Sequence, residues 1–305
     1  MVNTHKTYSP LVIREREKVL FIVNPKSGKG VLKNLEKKIE KTLDSKRFIA
    51  VIEYTQWVKH ATTIAREYVD KGIKRVVAMG GDGTVNEVAS ALIHTDAILG
   101  VIPIGSGNGF ARHLRIPFLI EKAIKLINCD KIALIDVGMV NQQPFFCTAG
   151  VGFDAQVGNS FAKGKKRGFI NYIRTAILVF LHYKVKRYRI TLNNQTIEKA
   201  AFLITVANIA QYGNNAYIAP NADITDGMLD VTIMSPFPKY ISPSMGMRLF
   251  VKRIGKSKFV EAFKVKEITI EQLDSNVMHF DGEPITMESP LNFSVEHLAL
   301  KVFVP

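Results

Sequence analysis

Val19-Leu20-Phe21-Ile22-Val23 is an unbroken apolar run rich in β-branched residues, the pattern of a strand covered on both faces. The turn Asn24-Pro25-Lys26-Ser27-Gly28-Lys29-Gly30 follows, and Leu32, Leu35, Ile39 and Leu43 then recur at helical spacing among charges. Phe48 to Tyr54 reads as a second strand, and Ala61, Ile64, Ala65 and Tyr68 as a second helix. Val76 to Met79 is a third strand, followed by Gly80-Gly81-Asp82-Gly83-Thr84 and a helix marked by Val85, Val88, Ala89, Leu92 and Ile93. Leu99 to Ile104 is a fourth strand, closed by Gly105-Ser106-Gly107-Asn108-Gly109. Strand and helix in alternation predict an open parallel sheet with crossover helices. Such sheets bind ligands at their strand C-termini, so loops 24–30, 80–84 and 105–109 are expected on one rim.

From about Ile135 the period changes. Short strand-like runs dominate, among them 187–192, 200–206, 229–234, 267–271 and 277–280, with turns at Asn193-Asn194, Asp226-Gly227 and Asp281-Gly282. One helical pattern at roughly 168–182 interrupts them. The reading is an N-terminal α/β nucleotide domain over 18–137 and a second, antiparallel β-sandwich-like domain over 138–293. The alternating run Leu298 to Val304 is a strand, and the stretch from about 294 to 305 is free to return to the first domain.

A length of 305 residues agrees with two domains. An apolar content of 47% excludes wholesale disorder, and two lone cysteines, Cys129 and Cys147, exclude a disulfide scaffold or Cys-rich zinc module. A reducing compartment is expected. The longest purely apolar run is Ala176 to Leu181, against about 20 residues for a bilayer span, and the stretch from Met1 to Glu17 has no apolar core for a secretory leader. The net charge of +14 suits nucleic acid, an anionic membrane surface or phosphate-bearing substrates, and does not choose among them.

The glycine loops narrow the choice. Gly80, Gly81 and Gly83 let backbone approach a ligand closely, and N–H groups at a helix start favour phosphate. Asp82 beside bound phosphates makes sense if it meets Mg²⁺; a plain tight turn with an Asp or Thr cap is the simpler reading of that loop alone. Ser106 and Asn108 add side-chain donors, and Lys26 and Lys29 add charge to the first loop. Neither glycine loop is a P-loop or a dinucleotide fingerprint, and G-x-S-x-G and H-E-x-x-H are absent. His113, beside Arg112, reads as a surface or capping residue. In the second half, Asp223 to Asp230 is either a cation-binding turn or a hairpin turn, and Asp281-Gly282-Glu283-Pro284 offers two carboxylates, one able to take a proton from a hydroxyl. Asp136 and Asp154 flank the crossover between the halves and are placed to join the same cleft.

Taken together, Asn24 to Gly28, Gly80 to Glu87, Gly105 to Asn108, Gly150-Val151-Gly152-Phe153-Asp154 and Asp281 to Pro284 resemble, in order, the motifs of the diacylglycerol-kinase catalytic family, which includes bacterial lipid kinases and sphingosine kinases. The resemblance implies a two-domain, ATP- and Mg²⁺-dependent lipid kinase. It implies nucleotide contacts at Asn24, Pro25, Lys26, Ser27, Gly28, Thr55, Gly80, Gly81, Asp82, Gly83, Thr84, Val85, Asn86, Glu87 and Ser106. It places Asp82 and Asp136 near the catalytic Mg²⁺ and a structural Mg²⁺ at the turn of Asp223, Asp226 and Met228. Asp281 and Glu283 match the catalytic pair, with Asp82, and Asp154 a substrate contact. Where many bacterial diacylglycerol kinases carry an acidic residue after the Asn of the third loop, this chain has Gly109, so that loop looks more like the G-S-G-N loop of sphingosine and ceramide kinases.

Two other readings start from the same residues. The G-G-D-G-T block is shared with NAD kinases, which act on a soluble acceptor. Phe169, Ile170, Tyr172, Ile173, Ile177 and Phe180 favour a lipid instead, with core packing of an amphipathic helix as their simpler explanation. Basic stretches at 163–167 and 184–189, with Tyr183 and Tyr188 interleaved, would suit nucleic acid, but no helix-turn-helix, RNP or zinc pattern accompanies them and no nucleic-acid partner is expected. The expectation is a cytoplasmic enzyme held peripherally at the inner face of a membrane by those basic stretches, with a homodimer made plausible by the resemblance.

Overall fold

In the computed structural model, residues 15–28, 33–164 and 169–305 are described, so Lys29, Gly30, Leu32 and Lys165 to Arg167 of the sequence reading, like residues 1–14, lie outside them. The first half is β1 (Glu17–Val23), α1 (Leu35–Thr42), β2 (Phe48–Tyr54), α2 (His60–Asp70), β3 (Arg75–Gly80), α3 (Asp82–Leu92), β4 (Ile98–Pro103), α4 (Gly109–His113) and α5 (Ile120–Cys129). The second half is β5 (Ile132–Val140), β6 (Gln143–Phe145), β7 (Thr148–Gly152), α6 (Phe153–Lys163), α7 (Phe169–His182), β8 (Lys186–Leu192), β9 (Gln195–Ala201), β10 (Leu203–Ala207), β11 (Leu229–Met234), α8 (Ser242–Phe250), β12 (Val260–Val265), β13 (Glu267–Gln272), β14 (Val277–Phe280), β15 (Glu283–Thr286) and β16 (Leu291–Phe303).

Strands β2, β1, β3 and β4 pair in parallel in that order. Val19 to Val23 and Val76 to Met79 are fully buried, as strands covered by helices on both faces require. The buried residues of α5, Ile120, Ala123, Ile124 and Ile127, form a helical stripe over the same core.

The second half is an antiparallel sandwich. One layer is β12-β11-β10-β7-β14-β15. The other, β16-β13-β8-β9 with β5 and β6, continues the first-half sheet, because Lys301 and Val302 of β16 pair in parallel with Ile98 and Leu99 of β4. Phe145, Ile190, Ile270 and Phe293 from that layer interdigitate with Val151, Val206, Val231 and Met278 from the six-stranded one. The run predicted over 200–206 is in fact divided. Ala201 ends the outer hairpin strand β9, and Phe202 turns its N–H to Met234 O before β10 begins. Helix α6 has Gly158, Asn159 and Ser160 in place of an apolar stripe, which is why periodicity alone does not reveal it.

Candidate active site at the domain junction

The three loops predicted for one rim do meet. Gly80 ends β3, and a Cβ there would lie 2.3 Å from Thr84 Oγ1. A Cβ on Gly105 would lie 2.5 Å from the Cα of Gly81, so the second and third loops touch backbone to backbone. The N–H groups of Ile104 and Gly105 both donate to Gly80 O, at 2.9 and 3.2 Å. Asn24 Nδ2 donates to Thr84 Oγ1 at 3.1 Å and ties in the first loop, whose Lys26 N–H returns to Asn24 Oδ1 at 3.0 Å. Helix α3 starts at Asp82, with Gly81 as N-cap and no side chain capping it. Its first-turn N–H groups and the helix dipole therefore face the rim, where an anion is stabilised.

Asp82 stands inside this rim. Its Oδ1 accepts from Phe110 N–H at 3.4 Å, and Oδ2 is 3.1 Å from where a Cβ on Gly107 would be. Burial raises its pKa, opposed by backbone N–H groups at Gly109, Phe110 and Asn108. Gly109 itself is buried. A Cβ there would sit 3.3 Å from Tyr212 O and 3.4 Å from Gly213 N, so the second domain's 212–213 loop fills the space an acidic side chain would occupy.

Asp281 comes to the rim from the hairpin between β14 and β15, in the left-handed conformation with φ +48°. Its carboxylate accepts from Asn86 Nδ2 at 2.7 Å, Phe146 N–H at 2.9 Å, Cys147 N–H at 2.7 Å and Thr148 N–H at 3.3 Å. Burial pushes its pKa up to about 6 against those donors, and the charge of Asp82 adds to the rise. Burial also raises the Cys147 thiol well above its usual value, with the charges of Asp281 and Asp82 adding to it. The two aspartates come from different domains and act on one electrostatic site. Glu283 is exposed, with Oε1 3.9 Å from the Cβ position at Gly83, so it overhangs the start of α3.

The remaining candidates divide. Pro25, Ser27, Gly28, Thr55 and Ser106 lie on the rim loops, with Ser106 exposed and Thr55 at the end of β2. Val85 is buried in the first core, so its side chain faces away from any ligand. Glu87 is corrected by the structure: its two carboxylate oxygens accept from Lys59 N–H at 2.9 Å and Ala61 N–H at 3.1 Å, capping the start of α2. Asn86, expected at the nucleotide, spends its amide on Asp281 and fastens the two domains.

Asp136 is corrected as well. It is fully buried, and its carboxylate accepts from Gly227 N–H at 2.7 Å, Leu298 N–H at 2.8 Å and His297 Nδ1 at 2.7 Å. It clamps the 223–228 turn to β16 and leaves no open position for Mg²⁺. In that turn Asp223 accepts from Thr225, Asp226 Oδ1 from Met228 N–H, and Lys264 Nζ bridges Asp226 and Asp230. A structural Mg²⁺ does not fit this turn unless that ammonium leaves. Among the described residues no three His, Cys, Asp or Glu side chains gather into a metal cage. The donor set at Asp82 does fit Mg²⁺ carried by phosphates, since that ion is commonly held by one or two carboxylates plus phosphate oxygens.

Asp154 lies on the second-domain side, 9% exposed. Its Oδ2 accepts from Thr205 Oγ1 and Tyr212 Oη, both at 2.9 Å, and pairs with His279 Nε2 at 3.0 Å. Sequence reasoning missed these three partners and the 146–148 backbone donors. His279 was within reach, because it stands two residues before Asp281 on one strand and so shares its face. The backbone donors carry no side-chain signal.

Comparison with known proteins agrees with this geometry. Residues 18–140 match the model of the diacylglycerol kinase catalytic domain, and 147–304 that of the YegS C-terminal NAD kinase beta sandwich-like domain. A Pseudomonas aeruginosa protein named "Probable lipid kinase YegS-like" is 32% identical over 250 residues, covering 80% of this chain and 81% of the relative. The Escherichia coli "Probable lipid kinase YegS" is 30% identical over 258 residues, covering 79% and 83%. The crystal structure of a diacylglycerol kinase from Bacillus anthracis superposes with a TM-score of 0.71 at 26% identity, covering 95% of this chain and 97% of that one. Motifs, sheet order and the paired aspartates at the junction thus converge with these matches, and the chain belongs to the YegS-like lipid kinases with a diacylglycerol kinase catalytic domain.

Proposed function

We propose that the protein transfers the γ-phosphoryl group of ATP to the hydroxyl of a lipid, of the diacylglycerol or the sphingoid and ceramide type. The observation that carries this is Glu283 overhanging the uncapped start of α3 while Asp281 is locked beside Asp82. The α3 N–H groups and the glycine rim hold the triphosphate and stabilise its spreading negative charge. Mg²⁺, when bound through Asp82 and the phosphates, supplies further charge neutralisation. Both oxygens of Asp281 are engaged by N–H donors, so Asp281 positions the hairpin. Glu283, with an exposed carboxylate, takes the proton of the acceptor hydroxyl as its oxygen attacks phosphorus.

Glu283→Gln and Asp82→Ala should each lower phosphate transfer to lipid in mixed micelles by about 10²–10⁴-fold. Thin-layer separation of labelled products from diacylglycerol, ceramide, sphingoid base and NAD identifies the acceptor. Undiminished turnover in both variants would remove the site assignment, and transfer to NAD alone would replace the lipid with a soluble acceptor.

A further inference from the structure

Helix α7 has two apolar faces. One packs inward: the Phe180 and Tyr183 rings meet Phe153 and Phe202 at centroid distances of 5.3–6.1 Å. The other carries Ile170, Ile173, Ile177 and Leu181, one stripe at helical spacing, and faces solvent, with Ile170 82% and Ile177 56% exposed. A solvent-facing helix surface is ordinarily polar, so this stripe lacks its partner. A second stripe lies next to it. Lys239 Nζ donates to Leu181 O at 3.0 Å and the Phe180 and Phe237 rings stack, which brings the segment entering α8 against the end of α7. Along that segment and α8, Tyr240 and Met247 are 83% and 62% exposed, and Phe250 is also exposed.

The charge around these stripes is of one sign. Residues 169–185 and 236–259 contain eight Lys and Arg, two in the first and six in the second, and no Asp or Glu. Among the described residues none of the eight forms a salt bridge with a carboxylate. An apolar stripe edged by unpaired cations suits an anionic bilayer, where side chains enter the acyl boundary and cations meet headgroups. A second copy of the chain would bring the same eight positive charges against themselves.

The face is also close to the chemistry. Gly158 of α6 is within 3.8 Å, from its Cβ position, of Gly282 O and Pro284 Cβ in the catalytic hairpin, and the Phe161 ring of α6 meets Tyr172 of α7 at 5.4 Å. One helix diameter, about 10 Å, separates α7 from that hairpin.

We infer that α7 and α8 together form a docking face for an anionic lipid bilayer, which presents the hairpin of Asp281 and Glu283 to acceptors in the same leaflet. The orientation toward the acceptor rests on the lipid kinase reading; the docking does not. The test is co-sedimentation with vesicles of phosphatidylcholine alone or mixed with phosphatidylglycerol. Two double variants are compared with the parent, I177S/L181S and K239E/K252E, each checked by thermal unfolding, so that the charge variant remains decisive if the apolar one fails to fold.

The parent should bind the mixed vesicles and release with salt. Each folded variant should bind about tenfold or more weakly, while still phosphorylating a short-chain, water-dispersed diacylglycerol. Anionic-lipid binding that depends on both stripes upholds the docking face even if no lipid is phosphorylated, a result that would defeat the kinase reading alone. Parent-level vesicle binding by the charge variant overturns the docking face, as does a solution dimer that hides α7 and abolishes binding.

Discussion

A carboxylate that accepts several backbone N–H bonds usually ionises easily, and Asp281 is held up at about 6 in spite of them because burial and the nearby charge of Asp82 outweigh the donors. This has a consequence for stability. Between its ordinary value of 3.8 and about 6 the folded chain binds the Asp281 proton more tightly than the unfolded chain does, so that contribution is complete below 3.8 and is lost as the pH rises through about 6. The stability advantage of the parent over Asp281→Asn should therefore shrink across that window, read from denaturant midpoints at a series of pH values; an advantage that grows with pH would contradict the burial of this group. Asp281 was visible as a motif residue, but its task was not: three of its donors are main-chain groups of 146–148, which no side-chain pattern marks. Glu87 gives the converse lesson. It stands inside the most specific block of the chain, yet its carboxylate serves the start of α2, a helix distant in sequence.

At the scale of elements, β16 decides most. Its 13 residues pair with β13 and β5 in the sandwich and with β4 in the parallel sheet, and the register against β5 shifts between Glu296 and Leu300. That irregularity turns Leu298 N–H and His297 toward Asp136. Asp136→Ala would leave those donors and Gly227 N–H without their acceptor in a dry interior. The expected loss is about 3 kcal/mol or more in urea unfolding, since each hydrogen bond to a charged group is worth about 1.5–3 kcal/mol. Alternation over 298–304 was enough to predict a strand, and period-2 runs located β11 and β14 to the residue. Helices α6 and α8 escaped, because their glycine, serine and proline residues interrupt the apolar stripe and tertiary contacts hold them instead.

For the molecule as a whole, the site exists only when the two domains are joined. The Asn86 amide on α3 and the Asp281 carboxylate on the β14–β15 hairpin are 195 residues apart in sequence and 2.7 Å apart in space. Asn86→Leu should leave the KM for ATP within about twofold and lower kcat about tenfold or more, because it frees the hairpin that carries Glu283 while the glycine rim stays intact. A variant that loses ATP affinity and keeps kcat would return Asn86 to the nucleotide.

The sequence by itself determined the parallel sheet, the three glycine loops on one rim and the family, because a buried strand, a φ-permissive turn and a helix start are local and each leaves a mark in a few adjacent residues. Only the tertiary structure decided which carboxylates are free to act. Asp136, Glu87 and Asp281 look alike along the chain. Folding gives the first to β16, the second to α2 and the third to the domain junction, and leaves Glu283 exposed, because hydrogen-bond satisfaction in a buried interior is settled by partners that the sequence keeps far apart.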